Sequence, residues 1–349
     1  MTSKRVLRTE ITTLTAHDFP VIQAEAITST NCTLFLGLDQ QNLVLWAAPR
    51  TNLEQYEKAS VYKSLQNQQF VKFIFHEDTQ SVFIGTSDGR IEVVHLKRVI
   101  APLIGDVYDF YLEHQMSILV FQNSAVTDLQ LIKSKNVILA TSANRIGIVH
   151  NIFSRNAVLK VKIEAGKLQH IMSFKLDEKR DILYLSDKKQ QVQMYQLFDI
   201  DQSCMRAEHI CALGTHGHVG DITAIELNIH KQLLFTGGKK ENVCVWDVMH
   251  HGQPKLIYSV KDNTGSVSAI QFDHDAQILV AGDKSGAVVV WDANRTIVIT
   301  RFIAHCVSLN GLILKGGKLI TWGSDFLIKY WYQLYEDTST FMDYEEKLE

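Results

Sequence analysis

Four groups of residues in this 349-residue chain have types and spacings that could do chemistry. Gly85-Thr-Ser-Asp-Gly89 fits Gly-x-Ser-x-Gly, the nucleophile elbow of acyl-transferring hydrolases. That elbow works because a strand-turn-helix holds the serine strained and exposed. Here Arg90-Ile-Glu-Val-Val94 follows and alternates like a strand, so the motif reads as a hairpin turn. Gly311-Leu-Ile-Leu-Lys-Gly-Gly-Lys318 has the look of a phosphate loop, but its spacing is off by one and Leu319 stands where Ser or Thr would hold magnesium. His216, His218, His250 and His251 suggest zinc, yet no carboxylate or thiolate at fixed spacing completes a ligand set. Cys32, Cys204, Cys211, Cys244 and Cys306 are odd in number and contain no Cys-x-x-Cys, so neither a disulfide framework nor a zinc finger is written here. The sequence supports no enzyme activity, no cofactor and no metal, which leaves binding.

Binding surfaces need elements to carry them, and the elements repeat. Leu233-Leu-Phe-Thr-Gly-Gly-Lys-Lys-Glu-Asn-Val-Cys-Val-Trp246-Asp247 returns 45 residues later as Ile278-Leu-Val-Ala-Gly-Asp-Lys-Ser-Gly-Ala-Val-Val-Val-Trp291-Asp292. Each copy is an apolar run, a polar turn and an alternating run, the sequence form of a β-hairpin. An ungapped frame finds five more copies and places the closing residues at Trp46, Val94, His150, Tyr195, Trp246, Trp291 and Trp331. A blade of this size cannot bury both faces alone, so seven units at this period must stack around an axis.

These residues resemble the WD-repeat family over nearly the whole chain. The resemblance implies an all-β fold: a seven-bladed propeller over residues 1–332 with an acidic tail at 333–349. It also implies a buried network in which a histidine before the first blade strand bonds an aspartate in the central turn and supports the tryptophan. Gly217-His218 keeps the family's Gly-His pair, while Ala16-His17 and Ala304-His305 keep the histidine. Blade seven has the full set, His305, Asp325 and Trp331; blade one has His17, Trp46 and a shifted Asp39. Blade five has His218 and Trp246 but Lys240 in the aspartate's place, so its network must be incomplete or differently made.

The ends suggest how the ring closes. Arg8-Thr-Glu-Ile-Thr-Thr-Leu-Thr-Ala-His17 parallels Arg295-Thr-Ile-Val-Ile-Thr-Arg-Phe-Ile-Ala-His305, an outer strand followed by the lead-in to the next blade. Residues about 4 to 14 are expected to complete the last blade and remove an open edge. No apolar run is long enough to span a membrane and no signal-peptide core follows Met1, so a cytoplasmic protein without membrane insertion is expected, with the nucleus left open.

Charge singles out three surfaces. The total is 35 basic against 38 acidic residues, but Glu336–Glu349 alone holds six acids and one lysine, leaving the rest at plus 2. That tail reads either as a solvated end or as a linear motif anchored by Phe341 and Tyr344. The central turns carry Arg90, Arg145, Lys188, Lys189, Lys239, Lys240 and Lys284; Lys188, Lys189, Lys239 and Lys240 concentrate positive charge in blades four and five. They are either solvated or a docking site for an acidic or phosphorylated peptide. Tyr108, Phe110 and Tyr111, in the longest spacing, alternate like an outer strand on the blade rim, or else form an aromatic hot spot for a partner. Charge is too low, and basic-aromatic interleaving absent, for nucleic acid.

A narrower resemblance rests on Ser60-Val-Tyr62 and Phe75-His-Glu-Asp-Thr-Gln-Ser-Val-Phe-Ile-Gly85, which are similar to the propeller of WD-repeat proteins that carry a FYVE zinc finger. No such insert lies between Trp291 and Trp331, and the Phe-Arg-Arg-Gly motif of phosphoinositide-binding propellers is absent, so lipid binding is not implied. The resemblances together imply a monomeric, non-catalytic scaffold or adaptor for protein partners, with a vesicle or endosome as one setting. The alternatives are a phosphopeptide-binding module or the substrate receptor of a cullin-type ubiquitin ligase. Family receptors carry Trp-Asp-x-Arg; Trp291-Asp292-Ala293-Asn294-Arg295 places the arginine one residue late.

Overall fold

Runs such as Ala287-Val-Val-Val-Trp-Asp292 are rich in β-branched residues and bounded by polar turns, and their backbone groups find partners in four-stranded antiparallel sheets. The structure is a computed structural model that describes residues 9–15, 17–28, 32–49, 56–64, 68–100, 108–143, 145–149, 171–187, 191–200, 206–213, 218, 220–240, 242–250, 253–294, 296–315 and 317–332.

Strand β1 (Thr9–Thr15) precedes blade one, which is β2 (Gln23–Thr28), β3 (Cys32–Leu38), β4 (Asn42–Pro49) and β5 (Glu57–Lys63). Blade two is β6 (Phe70–His76), β7 (Ser81–Thr86), β8 (Arg90–Ile100) and β9 (Tyr108–Leu119). Blade three has three strands among the described residues, β10 (Asp128–Ile132), β11 (Val137–Thr141) and β12 (Ile146–Val149). Blade four is β13 (Ile171–Asp177), β14 (Ile182–Asp187), β15 (Val192–Phe198) and β16 (Arg206–Leu213). Blade five is β17 (Ile222–Asn228), β18 (Leu233–Gly238), β19 (Val243–Asp247) and β20 (Lys255–Val260). Blade six is β21 (Val267–Asp273), β22 (Ile278–Asp283), β23 (Ala287–Asp292) and β24 (Ile297–Ile303). Blade seven is β25 (Leu309–Lys315), β26 (Lys318–Gly323) and β27 (Leu327–Tyr332), and β1 pairs with β27 as its outer strand. The N-terminal strand thus closes the propeller, as the parallel between the two ends suggests.

Alternate side chains of a strand point to opposite faces, so each blade feeds two seams. Seven apolar clusters result, one between each pair of neighbours. In β19, Val243 and Val245 face blade six, while Cys244 and Trp246 face blade four. Phe110 is buried in the seam between blades one and two, which takes it off the surface; Tyr111, its neighbour, is exposed.

The ungapped frame holds in five blades, where the closing residue faces one twelve positions earlier: Leu234 opposite Trp246, or Leu319 opposite Trp331. In blade one Phe35 faces Trp46, and in blade three Ile138 faces Val149, each eleven positions apart. Their central turns, 39–42 and 142–145, are one residue shorter. The aspartate of blade one is displaced for that reason, and Val149 takes the position the frame gives His150, which lies outside the described residues.

Candidate functional site: the turn face

Among the described residues, central turns meet the lead-in loop of the next blade on one face, as where Phe70 N–H bonds Gln40 O of the blade one turn and Val120 and Phe121 N–H bond Gly89 O of the blade two turn. Blade seven has the complete network. The Trp331 Nε1–H donates to Thr321 Oγ1 (3.0 Å), Thr321 donates to His305 Nε2 (2.9 Å), and His305 Nδ1–H donates to Asp325 (2.8 Å). Every donor finds an acceptor, which lets four polar groups sit under an apolar blade. Blade five repeats it with Asn242: Trp246 to Thr236 is 2.9 Å, Thr236 to His218 is 2.6 Å, and His218 Nδ1 to Asn242 Oδ1 is 3.0 Å. The network is complete without Lys240, whose side chain is exposed. Asn242 was readable by analogy, since Asn42 closes the turn of blade one in the same way.

Blade one departs at a different place. His17 Nδ1 bonds Asp39 (2.8 Å) and its ring stands edge-on to Trp46, but its Nε2 is buried with no partner. Gly37 occupies the threonine's position, and a Cβ there would lie 2.5 Å from His17 Nε2 and 2.8 Å from the Trp46 ring. In blade six Trp291 donates to Asp262 (2.8 Å), and Asp283 organises the turn by accepting from Thr264, Gly265 and Ser285 backbone N–H groups. Burial lowers the pKa of His218 and of His305, in the latter against the pull of Asp325, so both favour the neutral imidazole. For Asp39 burial acts upward, yet hydrogen bonds from His17, Gln41 N–H and Asn42 outweigh it and hold the carboxyl low.

These groups are a buried base; what a partner can touch lies above them. Lys239 is exposed, 3.5 Å from Asp221, and Lys240 and Lys284 are exposed. Arg90 is held by Asp88 at 2.9 Å. Lys188, Lys189, Phe341 and Tyr344 lie outside the described residues, as does the side chain of Tyr108. Around blade seven, where no residue pattern singles out a surface, Ile303, Val307 and Phe326 are exposed, 63%, 45% and 43%. Val307 belongs to the lead-in loop that packs on the blade six turn, and Ser308 O accepts from Ser324 N–H of the blade seven turn (2.8 Å).

Glu25 lies on the inner strand of blade one and pairs in the ladder with Leu36, the position held by Lys175, Glu226 and Gln271 in blades four, five and six. Those three join across the blades, Lys175 to Glu226 at 3.0 Å and Gln271 to Glu226 at 2.8 Å. Glu25 is flanked in its ring by Ile74 and Ile313. Burial pushes its pKa up to about 7, against the pull of Lys315 and Lys133 and with a small push from Glu77.

The serine motif of Gly85–Gly89 sits on the turn between β7 and β8, and Gly311–Lys318 runs from β25 into β26; neither leads into a helix. His218 is committed to the blade five network. Among the described residues no three His, Cys, Asp or Glu side chains are grouped as a metal would need, and no helix is long and apolar enough to cross a membrane.

The family model for the WD domain, G-beta repeat, matches residues 210–247 and 254–292, which run from β16 through β19 and from β20 through β23. No curated protein matches the chain. Among solved structures it is similar to the WD40 beta propeller domain of Doa1, with TM-score 0.68 and 12% identity over 93% of this chain and 97% of that one. At that identity, and with 1524 solved chains matching, the likeness is one of fold. The chain is a seven-bladed β-propeller, and its residues 210–247 and 254–292 match the WD40 repeat.

Proposed function

We propose that this protein is a non-catalytic scaffold whose turn face docks protein partners inside a larger assembly, in the cytoplasm and on vesicle surfaces. The observation that carries this reading is the surface spread over blades five to seven. Exposed Lys239 and Lys240 on the blade five turn, Lys284 on the blade six turn, Val307 on the blade seven lead-in loop and Phe326 on the blade seven turn lie on three consecutive blades. Basic and apolar side chains on consecutive blades suit a segment that mixes acids with aromatic or aliphatic anchors. Phe326 has the features of an anchor: it is aromatic, exposed, and held at φ +65°, a conformation a bulky side chain adopts at a cost.

The test is affinity purification from the native cell with mass spectrometry. Intact protein is compared with Lys239→Glu/Lys240→Glu, Phe326→Ser and a chain ending at Tyr332. A stoichiometric protein lost from the first two variants supports docking on this face. A partner lost only when the tail is removed moves the contact to residues 333–349, and a cullin adaptor among the partners favours a ligase receptor. An empty purification in all samples overturns the scaffold.

A further inference from the structure

In blades one, five and seven a histidine of the lead-in loop meets a turn residue and the space between them is filled. Blade three builds the same scaffold and leaves it open. The Val120 and Phe121 N–H groups bond Gly89 O at 3.0 and 2.9 Å, as those of Ala304 and His305 bond Gly286 O at 2.9 and 3.1 Å. Phe121 therefore stands where the histidine stands, and it is 4% exposed. Its ring cannot bond anything in the turn. Opposite it, Ser142 N–H bonds Arg145 O (2.8 Å), the closure that Asp39 and Asn42, and Gly238 and Asn242, make in blades one and five. Arg145 thus holds the position of Asn42 and Asn242 with no imidazole or carboxylate to meet.

The lead-in also carries one more residue here: Val126, which packs on the blade two strand at Gly85, is five positions after Phe121, while Leu309, which packs on Gly282, is four after His305. The extra length lifts Gln122, Asn123 and Ser124 over Phe121, with Asn123 at φ +59°. Together with Arg145 these three line a cleft of about 380 Å³. None of the four side chains makes a hydrogen bond or ion pair with a described residue, although Arg145 is half-buried. A guanidinium partly removed from water without an anion is costly, and two amides and a hydroxyl add further donors around it.

The geometry points to a binding site for a phosphate monoester in this cleft, with the Arg145 guanidinium bidentate on two phosphate oxygens and Gln122, Asn123 and Ser124 donating to the others. A planar carboxylate would use the arginine alone; a tetrahedral oxyanion can use all four side chains. Among the described residues no carboxylate lines the cleft, and Asp128, four residues after Ser124, and Asp88, on the blade two turn, are engaged by Lys72 and Arg90. The ester could be a phosphorylated side chain of a protein or a free small molecule. The site therefore does not depend on the scaffold reading.

The experiment uses the full chain and fluorescence anisotropy. The probes are a degenerate phosphoserine peptide library, the same library with serine and with glutamate, and phenyl phosphate as a competitor and as a direct calorimetric ligand. One phosphorylated probe should bind about tenfold or more tighter than its unphosphorylated counterpart, and Arg145→Gln should remove that gain, the loss expected of a charge-assisted pair. Lys255→Gln should change it by less than about twofold, because an exposed lysine on the outer strand of blade five, outside the cleft, contributes only screened charge. Ser124→Asp, on an open loop, is the second variant and should repel the phosphate while leaving the melt unchanged. Peptide binding that phenyl phosphate barely displaces assigns the source to a protein, and equal binding of phenyl phosphate assigns it to a small ester. No preference for phosphate in either probe, or wild-type binding by Arg145→Gln, overturns the site.

Discussion

In blade seven the Thr321 hydroxyl takes the indole proton of Trp331 and gives its own to His305, so its loss strands two buried groups at once. Thr321→Val keeps the shape and removes the hydroxyl; it should cost roughly 2–4 kcal/mol, as two unsatisfied buried partners imply. A loss under about a tenth of that, obtained from the urea midpoint and slope, would mean the network relaxes freely. Blade one already lives with one such orphan, His17 Nε2, because Gly37 stands at the threonine's position and brings no hydroxyl. Glu25 supplies the opposite case. A carboxyl whose pKa is raised by folding stabilises the native state below the unfolded value of 4.5 and loses that contribution as pH climbs to about 7. The displacement corresponds to roughly 3 kcal/mol at most. Glu25→Gln should accordingly raise Tm at pH 8, and the gain should shrink as pH falls below about 7 and vanish by about 4.5. A gain independent of pH would point to packing as its cause. His218 and His305 have the reverse sign: both are lowered, so their contribution is full above pH 6.5 and fades as pH falls.

At the scale of the element, one left-handed residue fixes the central turn in blades two, six and seven, at Gly89, Gly286 and Phe326. Gly286 has φ +85°, and a Cβ on it would sit 2.0 Å from His305 O. Gly286→Ala should cost about 2–4 kcal/mol, since strain and a backbone clash add, while Phe326→Gly at the same position of blade seven should be tolerated. Equal melts for wild type and Gly286→Ala would show that the turn can be re-formed. Such hairpins were legible because an apolar run, a polar turn and a closing Trp-Asp recur at a steady period. Their phase was not legible everywhere. In β3, Leu34, Phe35 and Leu36 are all apolar, as are Val137 to Ala140 in β11, so period-2 alternation cannot say which residue faces which seam. A turn shortened by one residue therefore leaves no trace in an ungapped frame. The blade three cleft was hidden for a related reason: Arg145 could be read as a turn cation, but its lack of a partner follows from Phe121 replacing a histidine, which only the register reveals.

The whole ring depends on the seam between blades seven and one, where the chain ends are tied. Leu14 of β1 is 4% exposed in the seven–one cluster, and β1 covers the edge that β27 would otherwise present. Two bonds cross the same seam: Trp322 Nε1–H to Ile22 O at 2.7 Å and Asn310 Nδ2–H to Val21 O at 2.9 Å. Every blade shares each apolar face with a neighbour, so stability propagates from blade to blade and an open array frays from its ends. A closed ring has no ends to fray. Removing residues 1–15 should thus do more than delete one strand: it exposes the β27 edge, uncovers the seven–one cluster, and turns two interior blades into terminal ones. The melting temperature should fall by roughly 5–10 °C, and the transition should broaden as the blades next to the cut unfold first. Asn310→Ala, which removes one seam bond and leaves the strand in place, should lower it by about 1–3 °C with no broadening. If the truncated chain melts like the intact one, β1 does not close the ring in solution; if it melts lower but as sharply, the blades are coupled through the remaining six seams strongly enough that the seventh adds stability without adding cooperativity.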